Sequence, residues 1–182
     1  MENRKTQILD LTLKLIREKG YVAISYDDLS RPLGVTKASI HYHFEKKEDL
    51  GIAVVDRIMN RFEELNQSSA SLQPAERLQK FFADRVKVLG CHDICPLSSL
   101  QSDFESLQEK LQEKVKEASA LEISILSGIL SDMQNEGTLP STQNIESLAV
   151  TLLASVKGAM QYQRVLGKEV YPDVMKQLSR LL

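Results

Sequence analysis

No stretch of this chain alternates apolar and polar residues as a half-buried strand would, whereas apolar residues recur at helical spacing along most of it. That pattern admits amphipathic helices and leaves room for little else. The punctuation agrees, because eight glycines and five prolines in 182 residues supply few helix breakers. The expected fold class is all-α, with about nine helices. Hydrophobic residues at 42% suffice for a buried core, and 23 Lys and Arg stand against 25 Asp and Glu. No apolar run approaches the ~18 residues of a membrane span, and the N-terminus lacks a signal-peptide core. A cytoplasmic protein without membrane contact is therefore expected. Two cysteines, Cys91 and Cys95, are too few for a disulfide framework or a four-ligand zinc site.

The first helix is expected over residues 3–19, where Ile8, Leu11 and Leu15, with Leu9, Thr12 and Ile16, recur at helical spacing before Gly20. Ser25 followed by Asp27 and Asp28 signals the start of a second helix. Pro32 and Gly34 keep that helix short. Thr36 caps a third, Lys37 to about His43, and Lys47 opens a long fourth. Residues 66–76, NQSSASLQPAE, read as a linker between a small N-terminal unit and a larger helical one. Further helices are expected at about 75–89, in a short segment reaching Phe104, onward to about 135, at 143–166 and at 172–182. Residues 136–140 read as a turn.

Three helices with a short second one, a Gly-Val-Thr turn and a compact third one fit a helix-turn-helix, whose last helix enters the major groove. Residues 8–50 resemble the DNA-binding domain of the tetracycline-repressor-like (TetR/AcrR) family of bacterial transcriptional regulators. Ile8-Leu9, Leu15-Ile16, Glu18-Lys19-Gly20-Tyr21 and above all GVTKASIHYHFEKKEDL, Gly34 to Leu50, carry the likeness. The family pattern there is Gly-Val-Ser/Thr-Lys-Gly/Ala-x-Leu-Tyr-x-His/Tyr-Phe, then x-x-Lys-Glu-x-Leu. His41 stands where the family usually has Tyr, Thr12 where it has a small Ala, and Ile16 where it has Phe. Pro32 within the second helix is also less usual. The resemblance implies a helix-turn-helix DNA-binding domain over residues 1–48 and a helical effector-binding and dimerisation domain over 49–182.

Candidate DNA contacts follow. Thr36 can cap the third helix and donate to a phosphate. Lys37 opposes the dipole at a helix start, a placement that DNA contact explains better than solvation does. Ala38 and Ser39 allow close approach to the groove. By the resemblance, Tyr42 and His43 look like phosphate contacts and His41 like a base-edge or backbone contact. Metal binding by this cluster is disfavoured, since adjacent helical residues diverge by about 100°. Lys47 could place a phosphate at a helix N-terminus, and Ser25 and Tyr26 are similar candidates. Charge lends modest support: residues 1–57 carry a net of +1 and the remainder −3.

In the C-terminal half, Ile145, Leu148, Leu152 and Val156, with Ala149, Leu153 and Met160, form an apolar stripe. Thr151, Ser155, Gly158 and Ala159 are small residues beside it. Val170, Val174, Leu178 and Leu181 form a second stripe. A small domain does not easily bury both, and the resemblance implies a homodimer through the last two helices, bound to a palindromic double-stranded operator. Packing within one chain is the competing reading. By family analogy an unidentified small-molecule effector would lie among Phe81, Phe82, Phe104, Leu107, Leu126 and Met160, each equally explained as core. Cys95, beside Pro96 at a helix start, and Cys91 could form a thiol sensor, although free cysteine is most often a small buried hydrophobe.

No Ser-His-Asp set, glycine-rich phosphate loop or HExxH motif points to an enzyme, and no cofactor is expected. The expected function is a ligand-responsive repressor. A helical small-molecule carrier or a protein-binding module explains the apolar stripes but not GVTKASIHYHF.

Overall fold

The computed structural model describes residues 3–87, 90 and 92–181, and among these the regular elements are all helical. The helices are α1 (Arg4–Lys19), α2 (Tyr26–Leu33), α3 (Lys37–His43), α4 (Lys47–Ser68), α5 (Pro74–Lys87), α6 (Pro96–Ser102), α7 (Glu109–Asn135), α8 (Ile145–Leu166) and α9 (Tyr171–Leu181), with a 3-10 turn at Phe104–Ser106. No described helix is long and apolar enough to cross a membrane. The helices pack into two units. One comprises the chain up to Met59 together with Ile94–Ala118; the other comprises Asn60–Asp93 and the chain from Ser119 onward. These packing units do not follow the expected division after residue 48.

In the first unit, local chemistry sets the helix ends. Asn3 caps α1 through its side chain, and Gly20 ends it at φ +83° with its N–H on the Ile16 carbonyl. Ser25 and Asp28 form a reciprocal capping box at α2. Pro32 is accommodated in the last turn of α2, and the chain reverses at Gly34, whose φ of +63° favours glycine. Every fourth residue of α1, Ile8, Thr12 and Ile16, is buried, and the Thr12 hydroxyl is satisfied by the Ile8 carbonyl at 2.7 Å. Leu29, Ile40, Phe44, Leu50 and Val54 complete the apolar interior of the three-helix segment.

Residues 94–118 are part of this unit, which the sequence reading did not anticipate. The Ile94 N–H donates to the Arg17 carbonyl at 2.8 Å, and the Tyr21 N–H donates to the Ser99 hydroxyl at 3.1 Å. Gly51 lies so close to α7 that a Cβ there would sit 2.6 Å from Leu111 Cδ2 and 2.7 Å from Tyr21 Oη. The Tyr21 hydroxyl donates to the Lys47 carbonyl at 2.6 Å, and burial pushes its pKa well above the ordinary phenol value.

In the second unit, Phe81 and Phe82 of α5 meet edge to face at 5.2 Å amid Leu126, Ile129, Leu130, Leu152, Leu153, Val156 and Leu178. The expected linker at 66–76 is a turn within this unit. Residues 66–68 complete α4, Ser69 is buried with its hydroxyl on the Leu65 carbonyl at 2.7 Å, and Pro74 opens α5. The α8–α9 connection is tied by Gln163, whose side-chain oxygen accepts from the N–H groups of Val170 and Tyr171 at 3.2 and 3.3 Å. Glu122 of α7 is buried and bonded to Lys157 of α8 at 2.6 Å.

The apolar stripes of α8 and α9 meet a different fate from the one expected of a dimer seam. Ala149, Leu152, Leu153, Val156 and Leu178 are buried in this unit's own core, with Ile145, Leu148, Met160 and Val174 packed against it. The aromatic and aliphatic side chains of α5 and α7 supply the surface that both stripes cover. The side chain of Leu181 lies outside the described residues. The large apolar side chains that α8 leaves exposed are Val150, Tyr162, Val165 and Leu166.

Candidate nucleic-acid interface

α3 has two unlike sides. Ile40 is completely buried and Phe44, just past the helix end, nearly so, which anchors the helix on the apolar interior. Lys37, Ala38, His41 and Tyr42 are exposed, and Tyr42 is 86% accessible, the largest exposure among the exposed large apolar side chains. A tyrosine this exposed buries little in the free protein, so its ring is open to a partner. The edge of the Tyr42 ring meets His43 at 5.2 Å.

The remaining expected contacts divide by what their polar atoms already do. Thr36 Oγ1 accepts from the Ser39 N–H at 3.2 Å, so it caps α3 and keeps its hydroxyl hydrogen for a second partner. Lys37 Nζ pairs with Asp27 at 2.8 Å, and both side chains are about half exposed. This ion pair sets one ammonium hydrogen toward α2 and leaves two for a phosphate. The Lys47 ammonium donates to the Val22 carbonyl at 2.9 Å and stands 4.8 Å over the Tyr21 ring. Burial there depresses its pKa below the ordinary lysine value.

Ser25 and Tyr26 are engaged internally. The Ser25 N–H and hydroxyl both donate to Asp28, at 2.8 and 2.7 Å, which holds the Asp28 carboxyl far below the usual carboxylate range. The Tyr26 hydroxyl donates to the Phe44 carbonyl at 2.9 Å, and its ring meets His41 edge-on at 4.4 Å. Burial and the neighbouring Asp49 raise its pKa. Tyr26 thus braces α3 in the free protein, and Ser25 caps α2, with their donor hydrogens already committed.

Sequence reading took Asp27 as a helix-start acid and not as the partner of Lys37, and it did not single out Lys5, whose ammonium lies 5.5 Å from the centre of the Phe44 ring. Neither contact carries a local signal, since each acts across helices. The expected effector residues fall in different places. Phe81, Phe82 and Leu126 are core of the second unit with Met160 against it, whereas Phe104 and Leu107 belong to the first. Cys95 is the N-cap residue of α6, followed by Pro96 in its first turn. Cys91 lies outside the described residues.

A short helix bearing an exposed cationic and aromatic face, braced by a capped helix and a tight glycine turn, is the geometry of a recognition helix. Comparisons with known proteins give the same answer. Residues 8–54 match the bacterial regulatory proteins of the tetR family. Residues 74–178 match the tetracyclin repressor-like C-terminal domain. Over 58 residues the chain is 36% identical to IcaR, the biofilm operon icaADBC HTH-type negative transcriptional regulator of Staphylococcus epidermidis. That match covers 32% of this chain and spans only 31% of IcaR. A longer match, 27% identical over 143 residues, covers 71% of this chain and 73% of an uncharacterized HTH-type transcriptional regulator in the lacX 3' region of Lactococcus lactis subsp. lactis. The crystal structure of a TetR transcriptional regulator from Legionella pneumophila superposes with a TM-score of 0.89 at 29% identity, covering 100% of this chain and 98% of that one. Helix-turn-helix, C-terminal helices and chain length all agree, and the chain belongs to the TetR family of bacterial regulatory proteins.

Proposed function

We propose that this protein is a cytoplasmic transcriptional repressor that binds a palindromic operator as a homodimer and is released by a small-molecule effector. The observation that carries the reading is the exposed face of α3, with Lys37, Ala38, His41 and Tyr42 held outward while Ile40 and Phe44 anchor the helix. Residues 1–48 would supply the operator contact and residues 49–182 the effector site and the dimer surface. Lys37, the Thr36 hydroxyl, Tyr42, His43 and the helix start at Lys47 would meet phosphates, and His41 a base edge.

The dimer would form through α8 and α9. Its apolar contribution from α8 would come from Val150, Tyr162, Val165 and Leu166, since the expected stripe is spent on the chain's own core. Two recognition helices related by a two-fold axis require a two-fold operator. An effector seated near Phe81, Phe82, Leu126 and Met160 would have to open packed apolar contacts. It would therefore favour a distinct conformation, and its differential affinity would set how far operator affinity falls.

The test is selection from random duplex DNA by the purified full chain near physiological salt. An enriched palindrome supports the reading and supplies the probe for an effector screen. Absence of enrichment from folded protein at several salt concentrations overturns it in favour of a carrier or a protein-binding module.

A further inference from the structure

His41 carries a constraint that its exposure conceals. Its Nδ1 lies 3.0 Å from the main-chain carbonyl oxygen of Glu45. A carbonyl oxygen only accepts, so the shared hydrogen belongs to Nδ1, and the neutral ring is fixed as the tautomer with a bare lone pair on Nε2. The ring is also held from the side by Tyr26, which is itself tied to the Phe44 carbonyl. Backbone and aromatic brace together set the rotation of the imidazole and leave Nε2, on the side of the ring away from Glu45, as its uncommitted polar atom.

We propose that His41 is a specificity-determining residue of the operator contact, using Nε2 as an acceptor for a base that offers an exocyclic amine, adenine N6 or cytosine N4. The proposal rests on the reading of α3 as the recognition helix. In the major groove only those two groups donate; guanine N7 and O6, adenine N7 and thymine O4 accept, as do phosphate oxygens. Neutral His41 in this tautomer has no hydrogen on Nε2 to offer them. Four residues earlier, Lys37 has donors alone and the opposite preference.

The experiment is selection from random duplexes near physiological salt, using the full chain, His41→Asn and His41→Gln, with helicity verified by circular dichroism. His41→Asn keeps an amide N–H near the place of Nδ1 and has nothing where Nε2 stood. His41→Gln returns a polar atom to that outer position. The parent protein should favour adenine or cytosine about fivefold at one position of each half-site, the discrimination that one hydrogen bond supports. His41→Asn should lose that preference with the rest of the operator unchanged, and His41→Gln should recover adenine. An enriched operator that is identical for the parent and His41→Asn overturns the proposal and leaves the regulator reading intact. So does a loss of affinity by His41→Asn that is uniform over all sequences. No enrichment by any folded protein overturns both.

Discussion

Gly34 shows how one residue can hold the turn of this motif. Its φ of +63° lies where an L side chain is strained, yet no atom stands within 4 Å of the place a Cβ would take. The cost of Gly34→Ala is thus confined to the backbone, about 1–2 kcal/mol, and should appear as a lower thermal midpoint with the helical signal of the native state unchanged. Lys37 offers a functional counterpart. With one ammonium hydrogen on Asp27 and two remaining, it would neutralise a phosphate in the proposed operator complex. Lys37→Ala should weaken operator and non-operator DNA by similar factors and flatten the logarithmic salt slope by about 1. A change of base preference would assign it to direct reading instead. Such features were legible from sequence because they are local: Ser25, Thr36 and Gly34 each act on a neighbour within three or four positions.

Helices raise a different question, which is where each apolar face goes. The periodicity of α8 shows a stripe but not its partner, and the partner is provided by side chains of α5 and α7 far away in the chain. The α8 stripe also hid a charge. Lys157 reaches across to Glu122, whose side chain is 2% exposed. Lys157→Met should destabilise the protein by about 3–5 kcal/mol, because it removes one ion-pair partner from a buried carboxylate. Chemical denaturation reads the outcome, and a variant as stable as the parent would show that Glu122 does not depend on Lys157. Neither residue stands out in the sequence, where each looks like one more surface charge among its helix neighbours.

At the scale of the molecule, the exposed side of α8 carries the dimer proposal. Val165 is 79% exposed, so Val165→Glu should leave the folded protomer unharmed and shift sedimentation toward a monomer, with loss of palindrome binding. Retention of a stable dimer would move the interface elsewhere. The chain's organisation was less legible than its helices. A Ser-rich segment suggested a boundary, but Ser69 is buried and the turn belongs to one packing unit. The segment 94–118 returns to the helix-turn-helix through backbone and packing contacts that have no local sequence signature. Residues 1–57 alone should accordingly show much less helix by circular dichroism than the same residues contribute in the full chain, since Tyr21 and Gly51 would lose Ser99 and Leu111.

That returning segment bears on how such a regulator can be re-engineered. A chimera that trades residues 1–48 for those of a relative would set a foreign residue in the place of Tyr21, against the Ser99 hydroxyl and the Gly51 backbone of the retained chain. Retargeting this protein to a new operator is better done by rewriting the exposed positions of α3 in place, where the side chains are not part of the apolar interior, than by transplanting the module whole.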